Sequence, residues 1–195
     1  MPTDEPTETA RQAVASDAPA VSAALGRAFA DDPVWRWLVG DRASRVVAAI
    51  TRLGCERHPH EFTIVEGAAS WWHPPGQWRM GLAETLRLVP RVAPIARVAS
   101  LRLLQMSALL ERQHPADGQH AYLGYLGAAV QGKGLGSTVL QPALDVCDAF
   151  GWPAFLESSN PRNVPFYERH GFVARELTRV PSGCPVITPM WRDPR

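Results

Sequence analysis

The order of elements in this chain predicts an α/β fold whose central sheet is mixed, partly antiparallel, and flanked by helices. Two stretches carry that expectation. FTIVEG and AASWWHPP read as two strands joined by a tight turn at Glu66 and Gly67, and AYLGYLGAAV and PAFLES bracket a helix over Ser137 to Phe150. A hairpin makes antiparallel neighbours and a strand-helix-strand crossover makes parallel ones, so the sheet combines both. At 195 residues, 46% of them hydrophobic, the chain has ample material for a buried core.

In chain order, residues 1–8 read as a polar, proline-containing tail, and 9–195 as one domain. TARQAV alternates as a first strand. Ser16 and Asp17 are caps for an amphipathic helix over Ala18 to Ala30. DDPVWRWLVG reads as a capped helical turn with Pro33 near its first position, and 43–57 as a further helix. The hairpin follows and ends at Pro74-Pro75-Gly76. From Trp78 to Gln113 the period is helical, with Leu82, Leu86 and Val89 on one face until Pro90 and Pro94 interrupt it. Leu101, Leu104, Ala108 and Leu109 resume that period. After the crossover come a short helix from about Asn163 to His170 and two closing strands, GFVARELTRV and PVITPMW. Pro142, inside the crossover helix, predicts a kink.

Composition excludes several classes of partner. A formal charge of +1 argues against nucleic acid, and no run of about 18 apolar residues is present to span a membrane. Cys55, Cys147 and Cys184 are widely spaced and odd in number, which suggests neither a disulfide framework nor zinc. With an acidic N-terminus unlike a signal peptide, the expectation is a soluble cytoplasmic protein, monomeric or homodimeric. His58 and His60 flank a proline, but only Glu56 and Glu61 lie near them, so no metal is expected.

The stretch with the most chemistry is QGKGLG, Gln131 to Gly136, between a strand and a helix. Such a turn points successive backbone N–H groups into one concavity, where the helix dipole favours an anion such as a pyrophosphate. Lys133 adds a mobile positive charge. The spacing matches neither the triphosphate-binding loop nor the dinucleotide fingerprint. Taken alone, the glycines also suit a merely tight turn.

The loop is followed about twenty residues later by FLESSNPRN and then by FYERHGF. Together these resemble the GNAT superfamily of N-acetyltransferases. The match falls on Gln131, Gly134 and Gly136 in the loop and on Tyr167, Glu168, Gly171 and Phe172 in the later segment. QGKGLGS, PAFLE-x-S, PRN-x-PFYER-x-GF and an early AFADDP-like stretch are most similar to its puromycin N-acetyltransferase-like members. The resemblance implies acetyl-CoA as co-substrate, without a metal. Its pyrophosphate would lie on Gln131, Gly132, Lys133, Gly134, Leu135, Gly136 and Ser137, and its pantetheine arm between two splayed strands. The chain departs from the family pattern in running from strand to loop about two residues short and without proline.

Acetyl transfer from a thioester needs a neutral amine, a polarised carbonyl and a protonated leaving thiolate. Glu157, a carboxylate in an otherwise apolar strand, is the general-base candidate, or else a structural partner of Arg175 or Arg179. Tyr167 is the general-acid candidate, or else a core aromatic. Asn163, one turn earlier, would bond the pantetheine or cap the helix. Backbone N–H groups around Leu126, Gly127 and Ala128 would meet the oxyanion. Asp31, Asp32, Trp35 and Trp72 are candidates to wall a pocket for a flat or cationic amine. His120 and His170 are weaker candidates for a base. The expected activity is acetylation of a primary amine of a small molecule, such as puromycin or another aminoacyl compound. A protein or peptide N-acetyltransferase and a non-catalytic acyl-CoA-binding module are the alternatives.

Overall fold

The structure, a computed structural model, describes residues 9–116, 119–176 and 179–195. The tail expected over 1–8 lies outside them. Seven strands form one sheet in the order β1-β2-β3-β4-β5-β7-β6: β1 Arg11–Gln12, β2 Phe62–Val65, β3 Ala68–His73, β4 Ala121–Ala128, β5 Ala154–Ser158, β6 Val173–Ala174 and β7 Thr188–Arg192. Every neighbouring pair is antiparallel except β4 with β5, the pair joined through the crossover helix. The mixed sheet flanked by helices is therefore present as expected.

The helices are α1 Ala18–Ala28, α2 Pro33–Val39, α3 Ala43–Arg57, α4 Leu82–Ala96, α5 Ser100–Gln113, α6 Leu135–Phe150 and α7 Val164–Arg169. The alternation of β3 decides what each face buries. Trp71 joins Val21, Leu25, Val47, Phe62 and Ile64 from α1, α3 and β2, while Trp72 joins Leu140, Leu144, Leu156 and Met190 on the α6 side. Each Leu or Phe buried this way contributes about 1.5–3 kcal/mol. The Ser70 hydroxyl donates to the Val139 carbonyl at 2.7 Å and fastens α6 to β3. At the far end Arg192 clamps Asp148 of α6 through two 2.7 Å contacts and donates to the His170 carbonyl.

Four local expectations are corrected. Pro90 and Pro94 do not interrupt α4, which runs through both and stops where Arg97 adopts φ 57°. Both prolines are exposed and four residues apart, so the carbonyls they leave unpaired face water on one side. Leu82, Leu86 and Val89 are exposed too, as are Leu101 and Leu104 in α5. The buried face of α4 is instead Leu88, Val92 and Ala96, packed near Leu38, Val46, Met106 and Ile187. The strand expected over GFVARELTRV is only Val173–Ala174; the Arg175 amide still donates to the Pro189 carbonyl and its guanidinium lies over the Trp191 ring, while residues 177 and 178 lie outside the described residues. The crossover helix begins at Leu135, two residues early, and continues through Pro142.

Candidate active site

Strands β4 and β5 are paired over Ala121–Leu123 and Ala154–Leu156 and then part. On its other edge β4 stays paired with β3 as far as Ala128, with a bulge between Trp71 and Trp72 that skips Gly124. Its β5-facing edge is thus open from Gly124 onward. On the other side β5 turns away through SSNPRN, where the Ser158 hydroxyl donates to the Asn160 carbonyl and the Asn160 side chain accepts from the Arg162 amide.

A cavity of about 820 Å³ opens at this parting. Glu157, the first residue of β5 beyond its pairing with β4, lines it. The Tyr122 hydroxyl donates to Glu157 Oε2 at 3.0 Å. Burial pushes the Glu157 carboxyl up to about 7, more than the Tyr122 bond lowers it. Burial, with the Glu157 charge behind it, raises Tyr122 well above the ordinary phenol, so Tyr122 remains a donor. Arg175 is engaged with Trp191, and among the described residues no ion pair reaches Glu157.

Tyr167 enters the same cavity from the α7 side, among Leu123, Leu156 and Phe172. Burial raises its phenol above the usual value, and the charge of Asp32 adds to this, so the hydroxyl keeps its proton. Asn163 also lines the cavity, and although it stands at the N-cap of α7 its side chain makes no capping bond.

The QGKGLG loop lies beyond the open edge. Gly132 and Gly134 have φ of 81° and 75°, in the left-handed region, and a Cβ at either would meet no atom of the described residues within 4 Å. Helix α6 starts here, with Thr138 N–H bonded to the Gly134 carbonyl. The amides of Leu135, Gly136 and Ser137 precede the first helical hydrogen bond and suit an anion. Gly136 has a different duty, since a Cβ there would meet the Phe166 ring of α7 at 3.3 Å.

Of the residues expected to wall an acceptor pocket, Trp35 lines the cavity and the other three do not. Asp31 is exposed. Asp32 is buried as the cap of α2, accepting from the amides of Val34 and Trp35 at 3.0 Å and from the Ser159 hydroxyl at 2.6 Å. Burial raises its pKa against those bonds. Trp72 points to the α6 side with its Nε1 unpartnered among the described residues. Its neighbour Trp71 faces the cavity, together with Tyr122, Tyr125, His73 and Glu61, none of which was expected to wall an acceptor pocket. Strand alternation was the available signal: one of two adjacent tryptophans must face away from the site, and a pair read in isolation does not say which.

Glu61 Oε2 accepts from Trp71 Nε1 at 2.8 Å and lies 3.3 Å from His73 Nδ1. Burial pushes the Glu61 carboxyl up, but His73 and Trp71 outweigh it and the group lies below its usual range. The His73 ring stacks on Tyr122 and sits over Gly124, where a Cβ would meet its Nε2 at 3.2 Å.

Residues 108–192 match the family model for the acetyltransferase (GNAT) domain. Solved structures agree across nearly the whole chain. A Corynebacterium glutamicum protein described as histone acetyltransferase HPA2 and related acetyltransferase superimposes with a TM-score of 0.69 at 21% identity, covering 96% of this chain and 97% of its own. The chain has the GNAT acetyltransferase fold. An N-acetyltransferase from Staphylococcus aureus shares it at TM-score 0.56 and 12% identity, over 94% of this chain and 99% of that one. An uncharacterized N-acetyltransferase of Schizosaccharomyces pombe is 41% identical over 68 residues, 32% of this chain. The matched segment spans 28% of the length of that curated relative. Glu157 and Tyr167 both stand where β4 and β5 part. No group of three or more potential metal ligands occurs among the described residues, and no helix there is long and apolar enough to cross a membrane.

Proposed function

We propose that the chain is an acetyl-CoA-dependent N-acetyltransferase that acetylates a primary amine of a small molecule by direct attack. One observation carries this reading: an ionisable carboxyl, Glu157, and a protonated phenol, Tyr167, reach one cavity at the place where β4 loses its strand partner. The open edge of Gly124–Ala128 offers peptide groups to the two amides of a pantetheine arm, as a sheet edge does to an added strand. At about 3.3 Å per residue this edge leads toward the loop, where Gln131–Ser137 would receive the pyrophosphate.

In the reaction the amine nitrogen attacks the thioester carbonyl, and Glu157 takes the proton it sheds. The oxyanion is met by a backbone N–H of Leu126–Ala128. As the C–S bond breaks, the Tyr167 hydroxyl donates to the sulfur and supplies its proton. Asn163 bonds the arm. Most of the stretches resembling the puromycin N-acetyltransferase-like members, QGKGLGS, PAFLE-x-S and PFYER-x-GF, fall on this donor side. They speak for the donor and the chemistry, whereas the acceptor is read by the opposite wall, from α2, α3, α4 and α5. Release of coenzyme A thiol from acetyl-CoA across a panel of small amines, puromycin included, tests the reading. Thiol release with no amine in the panel would overturn it.

A further inference from the structure

Of the four carboxylates that the described residues place on the cavity wall, Glu84 and Glu111 are exposed enough for water to complete them, whereas Glu61 and Glu157 lie deeper. Arg79 is paired with Glu111 at 3.5 Å, and His58 with Glu84 at 2.5 Å. Glu157 is assigned to the reacting amine. Glu61 has no such assignment. Its side chain is 8% exposed, both of its described contacts fall on Oε2, and Oε1 carries no partner among the described residues. His73 and Trp71, which hold it, also hold its charge in place. Arg57, the remaining arginine of the wall, is exposed near the C-terminus of α3. A carboxylate this buried, with one oxygen unused and a cavity in front of it, is completed by a cationic donor.

The surroundings fit such a donor. Trp35 and Tyr125 stand beside the cavity with ring centroids 6.1 Å apart, and Phe29 edges onto both. Trp71, whose indole N–H donates to Glu61, stacks on Tyr125 and carries this aromatic wall up to the carboxylate, where its faces suit a cation. Glu61 immediately precedes β2 and Glu157 lies on β5, so three strand spacings of about 4.8 Å separate them, roughly 14 Å between backbones. Both carboxylates line the one cavity, so a short chain with a nitrogen at each end can run from one to the other.

We infer that the acceptor is a diamine-type molecule, whose reacting amine lies at Glu157 while a second, protonated nitrogen is held by Glu61. The inference rests on the acetyl-transfer reading for the first nitrogen, and its own content is the second.

Calorimetry in the presence of coenzyme A, with α,ω-diamines of four to eight carbons against the alkyl monoamine of equal length, reads the subsite without turnover. Expected is at least about tenfold tighter binding of the best diamine, a margin that collapses toward one in Glu61→Gln. Equal binding of diamine and monoamine by the wild-type protein overturns the inference, even if Glu61→Gln fails to fold. An undiminished margin in a folded Glu61→Gln protein overturns it as well. In the parallel thiol-release assay, kcat/KM should show the same preference. Turnover of monoamines without diamine preference counts against the second subsite alone, whereas preferential diamine binding without any turnover sinks acetyl transfer and leaves the subsite standing.

Discussion

The hydroxyl of Tyr122 on β4 donates to Glu157 on β5 across the point where the two strands separate, at 3.0 Å. The bond places a carboxyl of pKa about 7 at the mouth of the open strand edge, and Tyr122 does so without titrating itself. Tyr122→Phe should therefore leave Glu157 in place but less well aimed. We expect kcat to fall while the affinity for acetyl-CoA holds, read by steady-state kinetics and calorimetry.

Glu157→Gln should lose activity and gain stability. As the base, Glu157 makes kcat/KM rise as pH climbs through about 7, and the amide should cost ~10²–10⁴-fold, partly recovered near the amine's own pKa. In the fold this carboxyl holds its proton more tightly than the 4.5 of an unperturbed glutamate. Its contribution to stability is thus full below pH 4.5 and lost as pH rises through about 7. The glutamine does not ionise, so at pH 8 the variant should be more stable than the wild type by about 3 kcal/mol and melt at a higher temperature. At pH 4 the two should coincide. A destabilised mutant with an unaltered pH profile would make Glu157 structural.

Tyr167→Phe removes one oxygen from a buried site beside Asp32. We expect kcat to fall ~10²–10⁴-fold with acetyl-CoA affinity kept. Unchanged kcat would leave Tyr167 a packing residue of the α6 face.

The loop glycines should separate by mechanism. Gly134→Asp forces a side chain to φ 75° and projects its charge into space that no atom of the described residues fills, so coenzyme A affinity should drop about tenfold or more by calorimetry. Lys133→Ala, at an exposed and screened charge, should do less. Gly136→Ala presses on Phe166 and should move the melting temperature more than the coenzyme A affinity.

Gly54 of α3 tests the acceptor wall. A Cβ there would lie 2.5 Å from Trp71 Cη2, closer than real contacts, so Gly54→Ala must displace the indole that holds Glu61. The acceptor KM should rise while that of acetyl-CoA stays, and stability should fall by about 1–3 kcal/mol.

The sequence made the donor side of the site legible and left the acceptor side largely hidden, for a physical reason. Gln131–Ser137, Glu157 and Tyr167 lie in contiguous segments whose glycines and lone polar residues break an apolar pattern, so each declares itself locally. Glu61, His73 and Tyr125 become neighbours only when β2, β3 and β4 pair, and the Gly124 bulge that sets their register leaves no mark a reader of one strand would see. Of the adjacent Trp71 and Trp72, alternation fixes that the two diverge but not which faces the site. Helices α4 and α5 misled in the opposite way. Their leucines are periodic on the exposed face as well as the buried one, so period alone selected Leu82 and Leu86 over Leu88 and Val92.

The short pairing of β4 with β5 also governs how the molecule comes apart. Past Leu123 and Leu156 the two halves of the sheet have no hydrogen-bonded seam, and what spans them is α6, docked by Ser70 on one side and by Arg192 on the other. A ligand bonded along Gly124–Ala128 adds stitches where the seam is missing. Occupancy is then part of the cooperativity of the fold. Amides of β7, which the ligand never touches, should exchange their hydrogens more slowly once it is bound, because the opening that exposes them must first break the ligand's bonds to Gly124–Ala128 on one side or to Asn163 and Tyr167 on the other.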